Sequence, residues 1–584
     1  MPQMPRDDRS DFRRAGDGPP DASAPFAATL WGRVALCLAT VIMLSLAYAP
    51  LKQFYFAWFG LTPWLVMVSH ARSKKGAFFW SWLTGIVFFS INLWWIGYVT
   101  VPGAMALMLY MGFWFAVVGL VLRSGGVFER QGGQTPRSPG RLLLSIFMIA
   151  AVWVSAEYTW GNLFTGLPWL YIGHTQTPVL AMCQIADVTS VYGVSFWVVL
   201  INAWFALLIL HRLNAARLIL PGVVVLVLLG ANLGYGIFRM EQKTTYPGPS
   251  VMVVQPNFPQ DNSGAKGATY DEILDFHFSS TRAALEKLAS AKQTPDLVVW
   301  SETMMPELNE VYRRHMQAYV MPDRRNVGDF LDSVHTQLGE LARSFKTNLV
   351  VGASAMLPDR PVNGKPTWDR RNSAFLFDRG GNEATKRYDK IHLVPFGEFI
   401  PFRESCPPLY QFFNLFNPYK GMDYTIEPGK DLTIFTIAPQ GYRFASAICF
   451  EDVDSALMAR EFAGPDRTKR ADFIVNLTND GWFATPQMQQ HLQLSVFRCI
   501  ENRVPTARSV NTGISGFIDS VGRVHDTLGV HTTGTSTSRL ELDHRVAPYT
   551  HLGNVFAMVC LAGAGATVVG GVWNGMKRRS NGGR

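Results

Sequence analysis

Long apolar runs separated by short polar or basic turns fill the chain up to about residue 238, and one more stands near its end. A helix needs about 20 mostly apolar residues to cross a hydrocarbon core. Eight stretches approach that length: residues 31–51, 54–71, 76–99, 102–122, 142–160, 191–210, 218–238 and 552–573. Residues 239–551 contain no such run. There, β-rich runs at 251–255, 297–301, 349–353, 373–377, 444–449 and 473–477 are separated by stretches of helical apolar spacing at 270–291, 328–345 and 487–502. Strands alternating with helices predict an α/β sheet covered by helices.

This pattern divides the chain into a Pro-, Asp- and Arg-rich disordered tail (1–30), seven transmembrane helices (31–238), a soluble α/β domain (239–551), an eighth helix (552–573) and a short tail (574–584). The first apolar run ends Ala47-Tyr48-Ala49, a superficial cleavage-site pattern. A signal peptide's apolar region is only about 7 to 15 residues, so this longer run, followed at once by further spans, reads as a retained anchor.

The net charge of +9 raises the question of a nucleic-acid partner, but its distribution points to membrane topology. Arg6, Arg9, Arg13 and Arg14 in the first tail, Arg72, Lys74 and Lys75, Arg123, Arg130, Arg137 and Arg141, Arg212 and Arg217, and Lys577, Arg578, Arg579 and Arg584 all fall on one side of the eight-span arrangement. The opposite short loops hold only Lys52. The positive-inside rule then predicts cytoplasmic termini, and an insertion after seven spans lies outside, in the periplasm of a Gram-negative cell. No nucleic-acid partner is expected.

Three polar residues stand at or just past predicted strand ends, where open α/β folds place their sites: Glu302 in Val-Val-Trp-Ser-Glu-Thr, Lys390 in Tyr-Asp-Lys-Ile-His, and Cys449 in Ala-Ile-Cys-Phe-Glu-Asp. Each alone is an ordinary residue. The six cysteines form no metal-ligand spacing, and neither a metal nor a cofactor is expected. An odd trio in the soluble domain (Cys406, Cys449, Cys499) flags a free thiol, although a buried inert cysteine is the commoner reading of any one of them.

In this order and with these neighbours, the three residues resemble the Glu, Lys, Cys triad of the nitrilase superfamily. The chain as a whole, over about residues 30–573, resembles its membrane-embedded branch, the apolipoprotein N-acyltransferase family. Val-Gln-Pro-Asn-Phe-Pro-Gln (254–260), Pro-Phe-Gly-Glu-Phe-Ile-Pro (395–401), Asn-Asp-Gly-Trp-Phe (479–483) and, among the spans, Phe-Thr-Gly-Leu-Pro-Trp-Leu (164–170) carry the resemblance. It implies an αββα sandwich placed between the seventh and eighth spans of a bacterial inner-membrane protein. It also implies transfer of a fatty acyl chain from a phospholipid, through a Cys449 thioester, to the α-amine of a diacylated prolipoprotein.

Acyl transfer assigns the roles. A thiol near pKa 8.5 needs a base, which Glu302 supplies and then returns as an acid, and Lys390 supplies fixed positive charge at the oxyanion, typically worth about 3 to 4 kcal/mol per donor. The resemblance adds Glu398 and Glu451. A second carboxylate can hold Lys390 charged and oriented, or either residue can be a plain hydrogen-bond acceptor. Phe450 stands where relatives often carry Tyr, and the loop after Gln260 lacks a Trp that some relatives carry there.

The stretch from Phe396 to Tyr424 is dense in aromatics, including Phe399, Phe402, Tyr410, Phe412, Phe413, Phe416 and Tyr419, which suits an arm leaning on the lipid bilayer or else a cover for the core. Trp482, Phe483, Phe399, Phe402 and Phe450 are the candidate acyl-chain contacts. Two other readings remain: a membrane-tethered nitrilase-type amide hydrolase, because the triad alone does not choose between water and an amine, and a transporter or sensor, against which stands the scarcity of ionisable groups at membrane depth, only Glu157 and Asp187.

Overall fold

The computed structural model describes residues 25–128, 138–260, 267–362, 365–415, 417, 424–483 and 485–581. Most of the expected tails, the loop after Gln260, and Phe416 and Tyr419 of the aromatic stretch lie outside the described residues.

Among the described residues, six helices are long and apolar enough to cross a membrane: Leu30–Ala47, Val101–Ser124, Pro139–Asn162, Val191–Leu210, Ala215–Glu241 and Val555–Trp573. Two of the eight expected stretches differ. Residues 54–69 break into the short helices Phe54–Phe56, Ala57–Gly60 and Thr62–Ser69. The break is satisfied internally. Asn202 Oδ1 accepts the amides of Leu61 (2.8 Å) and Thr62 (3.1 Å), while its Nδ2 donates to Ala57 O at 2.8 Å. The third stretch is a 19-residue helix, Lys74–Asn92, basic at its start and interrupted by Trp, Ser and Thr. It lies against Val101–Ser124 so closely that a Cβ on Gly85 would sit 2.8 Å from Gly112 Cα, the small-residue contact by which membrane helices approach.

The α/β domain holds two six-stranded sheets. The first runs β12-β1-β2-β3-β4-β5, with β1 Thr245–Gln255, β2 Leu297–Val299, β3 Asn348–Val362, β4 Lys365–Phe377, β5 Tyr388–Asp389 and β12 Gly534–Asp543. The second runs β11-β10-β9-β8-β7-β6, with β6 Ile434–Ile437, β7 Tyr442–Ile448, β8 Phe473–Thr478, β9 Thr506–Val510, β10 Ser515–Ile518 and β11 Val524–Leu528. Each has a parallel centre, β1-β2-β3 and β7-β8-β9, with antiparallel strands outside it. Strands buried on both faces read as continuous apolar runs, which is why β2 and β8 were visible in the sequence.

Alternation along the strands makes the layers. Val251, Val253, Leu297 and Val299 face Phe444, Ile448, Phe473 and Val475 between the sheets. Met252, Val254, Val298 and Val351 face outward onto helices Tyr270–Ser290 and Val327–Phe345. The outer face of the second sheet is covered by helix Ser455–Phe462, through Ala445, Ala447, Met458 and Phe462. Helix Thr485–Asn502 joins the two parts of the protein, because its Leu494, Val496, Phe497 and Ile500 belong to the same buried cluster as the membrane helices. The result is a helix–sheet–sheet–helix sandwich whose fourth layer is shared with the membrane part.

A buried charge fastens that seam. Asp187, fully buried, pairs with Arg503 just after the shared helix and with Arg239 at the end of Ile219–Glu241, each at 2.6 Å. Removing the acid leaves two arginines facing one another, and breaking a buried pair this way typically costs about 3 to 5 kcal/mol. Asp187→Ala is therefore expected to lower the thermal unfolding midpoint of the detergent-solubilised protein by several degrees, measured beside Asp329→Ala, a change on an exposed helix start, which should leave it nearly unchanged.

Candidate active site

Glu302, Lys390 and Cys449 come together at the ends of β2, β5 and β7, drawn from both sheets. Glu302 sits in a tight turn that crosses β3 at Gly352, where a Cβ would lie 2.6 Å from Ser301 O and 2.7 Å from Glu302 Cα. Only glycine permits that approach. Glu302 Oε1 accepts from Asn372 Nδ2 at 2.7 Å, and Oε2 accepts from the Asn479 amide at 2.8 Å. Lys390 follows β5 directly and is held through its backbone, its amide donating to Asn372 O (2.8 Å) and its carbonyl accepting from Gly429 (2.7 Å). Cys449 directly follows β7 and opens a 3₁₀ turn, Cys449–Val453, at φ +51°, a left-handed conformation that costs energy for a non-glycine residue. The residue is half-buried, and its thiol interacts electrostatically with Glu302 and Lys390.

The charges are unevenly shared. Lys390 Nζ lies 2.8 Å from Glu398 Oε1 but 3.5 Å from Glu302 Oε1, with the lysine side chain 1% exposed. Burial works against the ammonium, yet Glu398 and Glu302 outweigh it and hold Lys390 above its usual range. Glu302 is pushed up, chiefly by burial and further by Glu398, against the pull of Lys390. Burial also pushes the Cys449 thiol well up, with Glu302 adding and Lys390 opposing. At rest the site is thus a thiol beside an unusually basic carboxylate and a fixed cation, an arrangement suited to moving one proton from sulfur to oxygen as the sulfur attacks a carbonyl.

The two further carboxylates divide between the readings the sequence left open. Glu398 touches Lys390 directly and is anchored by the Val394 amide at 2.8 Å. Glu451 instead splints the backbone around the site: it accepts from Tyr388 Oη (2.8 Å), the amides of Ile391 (2.6 Å) and His392 (3.1 Å), and the amide of Ile448 (2.7 Å). It therefore ties the residues flanking Lys390 to the residue before Cys449.

The candidate acyl contacts are spread out. Phe450 is buried and packs edge-on against His392, rings 5.4 Å apart. Phe483 meets Trp95 of the membrane part at 5.0 Å, and Trp482 beside it is half-buried. Phe402 stacks on Phe413 and reaches Phe164 of the Phe-Thr-Gly-Leu-Pro-Trp-Leu motif at 6.1 Å; Phe399 is half-buried, its carbonyl accepting from the Phe396 amide. Along the same stretch Phe412 and Leu415 are exposed. Sequence reading missed Asn372, which bonds both Glu302 and, at 3.4 Å, Glu398. An asparagine in the polar run Arg-Arg-Asn-Ser carries no signal of its own. Asn479 was visible only as part of a motif, because its contribution is a backbone amide.

Two family models match the chain: the apolipoprotein N-acyltransferase N-terminal domain over residues 41–204 and carbon-nitrogen hydrolase over residues 271–547. Curated relatives align with this chain along most of their length. An apolipoprotein N-acyltransferase from Geobacter metallireducens is 29% identical over 90% of this chain and 92% of its own, and one from Chlorobaculum tepidum is 28% identical over 87% and 90%. Another from Rhodopseudomonas palustris is 27% identical over 91% and 94%. Among solved structures, an amidase of the nitrilase superfamily from Nesterenkonia AN1 aligns with a TM-score of 0.34 at 14% identity, covering 54% of this chain and 97% of the amidase. With both family models placed in order along the chain and relatives aligned nearly end to end, this chain is an acyltransferase, similar along most of its length to apolipoprotein N-acyltransferases.

Proposed function

We propose that the protein moves a fatty acyl chain from a phospholipid to the α-amine of the N-terminal S-diacylglyceryl-cysteine of apolipoproteins, through a thioester on Cys449. The observation that carries this reading is the convergence of a half-buried cysteine, a carboxylate held above its ordinary range and a buried ammonium in one site. In the first half, Glu302 takes the thiol proton while sulfur attacks the ester carbonyl. Lys390 faces the oxyanion, and collapse expels the lysophospholipid alkoxide, which takes the proton back from Glu302. In the second half the amine attacks the thioester, Glu302 accepts its proton, and the amide leaves as the thiol is restored. The same carboxyl serves as base and acid in turn.

The reading also places eight crossings, with residues 54–69 and the 19-residue Lys74–Asn92 helix completing the six long ones. The latter spans about 28 Å at 1.5 Å per residue. Both termini are then cytoplasmic in a bacterial inner membrane and the sandwich is periplasmic, as the one-sided distribution of basic residues supports. The half-buried and exposed aromatics from Phe396 to Leu415 face lipid and admit acyl chains, with Phe399, Phe402, Trp482 and Phe483 as contacts. An amide hydrolase on a membrane tether is not favoured, since the relatives aligned over both parts of the chain carry the acyltransferase name.

Incubation with labelled phospholipid is expected to give one acyl adduct on Cys449 by intact-protein and peptide mass spectrometry, abolished in Cys449→Ala. Adding a diacylglyceryl-cysteine lipopeptide should then move the label to its amine. Free fatty acid with no acylated amine would establish hydrolysis instead.

The acid side of the pH profile provides a second check. Glu302 accepts a proton only when ionised, and its pKa lies above the ordinary value of 4.5, so acylation of Cys449 should fall as pH drops through a midpoint above 4.5. Glu398→Gln removes the carboxylate nearest Lys390 and leaves that cation to Glu302 alone. This should depress the Glu302 pKa, move the midpoint to lower pH and slow acylation by about 10- to 100-fold, as loss of a supporting partner typically does. An unmoved midpoint in this variant contradicts the assigned charge sharing.

A further inference from the structure

Beneath the three reacting groups lies a second cluster of buried charge that the acyl-transfer steps leave unused. The imidazole of His491 stands between two carboxylates, with Nε2 2.7 Å from Asp452 Oδ1 and Nδ1 2.9 Å from Asp480 Oδ1. Arg508 of β9 closes the cluster, donating from Nη1 to Asp452 Oδ2 at 2.8 Å and from Nη2 to Asp480 Oδ2 at 3.3 Å. Each of the four side chains is at most 3% exposed. A ring with a carboxylate at both nitrogens must donate from both, which only the imidazolium does. Arg508 Nη2 also lies 3.1 Å from Nδ1, but the Asp480 oxygen is nearer. Burial lowers the His491 pKa and Arg508 opposes its charge, yet Asp452 and Asp480 prevail and raise it to about 9. Two cations and two anions then balance.

Both acids belong to turns that build the site. Asp452 lies in the 3₁₀ turn Cys449–Val453, where Cys449 is held at φ +51°. Asp480 opens the turn Asp480–Trp482, and the residue before it, Asn479, gives its amide to Glu302. One imidazolium thus links the backbone that presents the sulfur to the backbone that orients the base. On the membrane side the adjacent Gln490 is equally engaged. Its Oε1 accepts from Trp169 Nε1 (2.7 Å) and Trp95 Nε1 (3.3 Å), and its Nε2 donates to Asn92 O (3.2 Å) and Ala49 O (3.3 Å). Trp169, from the Phe-Thr-Gly-Leu-Pro-Trp-Leu motif, also lies ring to ring with His491 at 5.7 Å.

We propose that His491 is a positioning residue for acyl transfer: as a cation it locks the Cys449 turn to the Asn479–Asp480 turn and keeps the charge beneath the thiol balanced, while Gln490 registers the same helix on the membrane segments. The inference rests on the reading of Cys449, Glu302 and Lys390 as the reacting groups. His491→Gln keeps a hydrogen-bonding side chain of similar reach but leaves the cluster one negative charge in excess, close to a thiol whose ionisation Asp480 already opposes.

The test follows Cys449 acylation by phospholipid in the full-length detergent-solubilised protein, by mass spectrometry over time. His491→Gln is expected to slow acylation about 10- to 100-fold, with the half-saturating phospholipid concentration unchanged. The double variant His491→Gln/Asp480→Asn, which restores neutrality, is expected to acylate faster than the single variant. Wild-type acylation by His491→Gln, or a double variant no faster than the single, would overturn the proposal. If the single variant is not recovered folded, the double variant decides: acylation well above the Cys449→Ala background supports the role, and background acylation refutes it. Wild-type protein that forms no adduct at all would instead refute the thioester reading itself.

Discussion

An ammonium buried to 1% exposure keeps its charge only with carboxylates beside it, and Glu302 and Glu398 meet that requirement at Lys390. Its two partners arrive from different places: Glu302 from the end of a central strand, Glu398 from the loop beyond Lys390 itself. Two acids on one base leave the trio with an excess negative charge. Burial first, and this excess after it, keep Glu302 basic and the thiol protonated. The proposed chemistry draws on that imbalance: a fully neutralised pair would hold Glu302 too weak a base, and an isolated Lys390 would lose its charge to burial.

Around this trio the backbone is held by groups that do not react. Asn372 spans Glu302 and Glu398, Glu451 ties the residues flanking Lys390 to the residue before Cys449, and Gly352 makes room for the Glu302 turn. The positive φ at Cys449 is a local cost met by these surroundings, in the way strained backbone persists where neighbouring contacts over-determine it.

The same helix that carries His491 and Gln490 ends beside Arg503, so one element meets the site, the membrane segments and the Asp187 seam. The membrane part and the sandwich therefore share a core. Aromatic contacts such as Phe483 with Trp95 and Phe402 with Phe164 continue the shared surface toward the site. That continuity fixes the position of Cys449 relative to the membrane helices by packing, without a flexible tether.

The sequence alone determined the class of the fold, because period and run length are local properties: β2, β8 and the helices at Tyr270–Ser290, Val327–Phe345 and Thr485–Asn502 fall close to where their patterns place them. It also singled out Glu302, Lys390 and Cys449 as candidates, through neighbours that resemble a known order, and the fold brings the three together. It did not reveal β9, whose Arg508 reads as a surface residue until a buried pair of acids is found for it. Nor did it show that the second apolar stretch breaks into short helices, since the Asn202 side chain that satisfies the break lies 140 residues away. Charge sharing at Lys390, the splint role of Glu451 and the clamp on His491 were likewise decided by tertiary structure. Each depends on distances between groups far apart in the chain, and electrostatic energy is set by those distances and by burial, neither of which is written in local order.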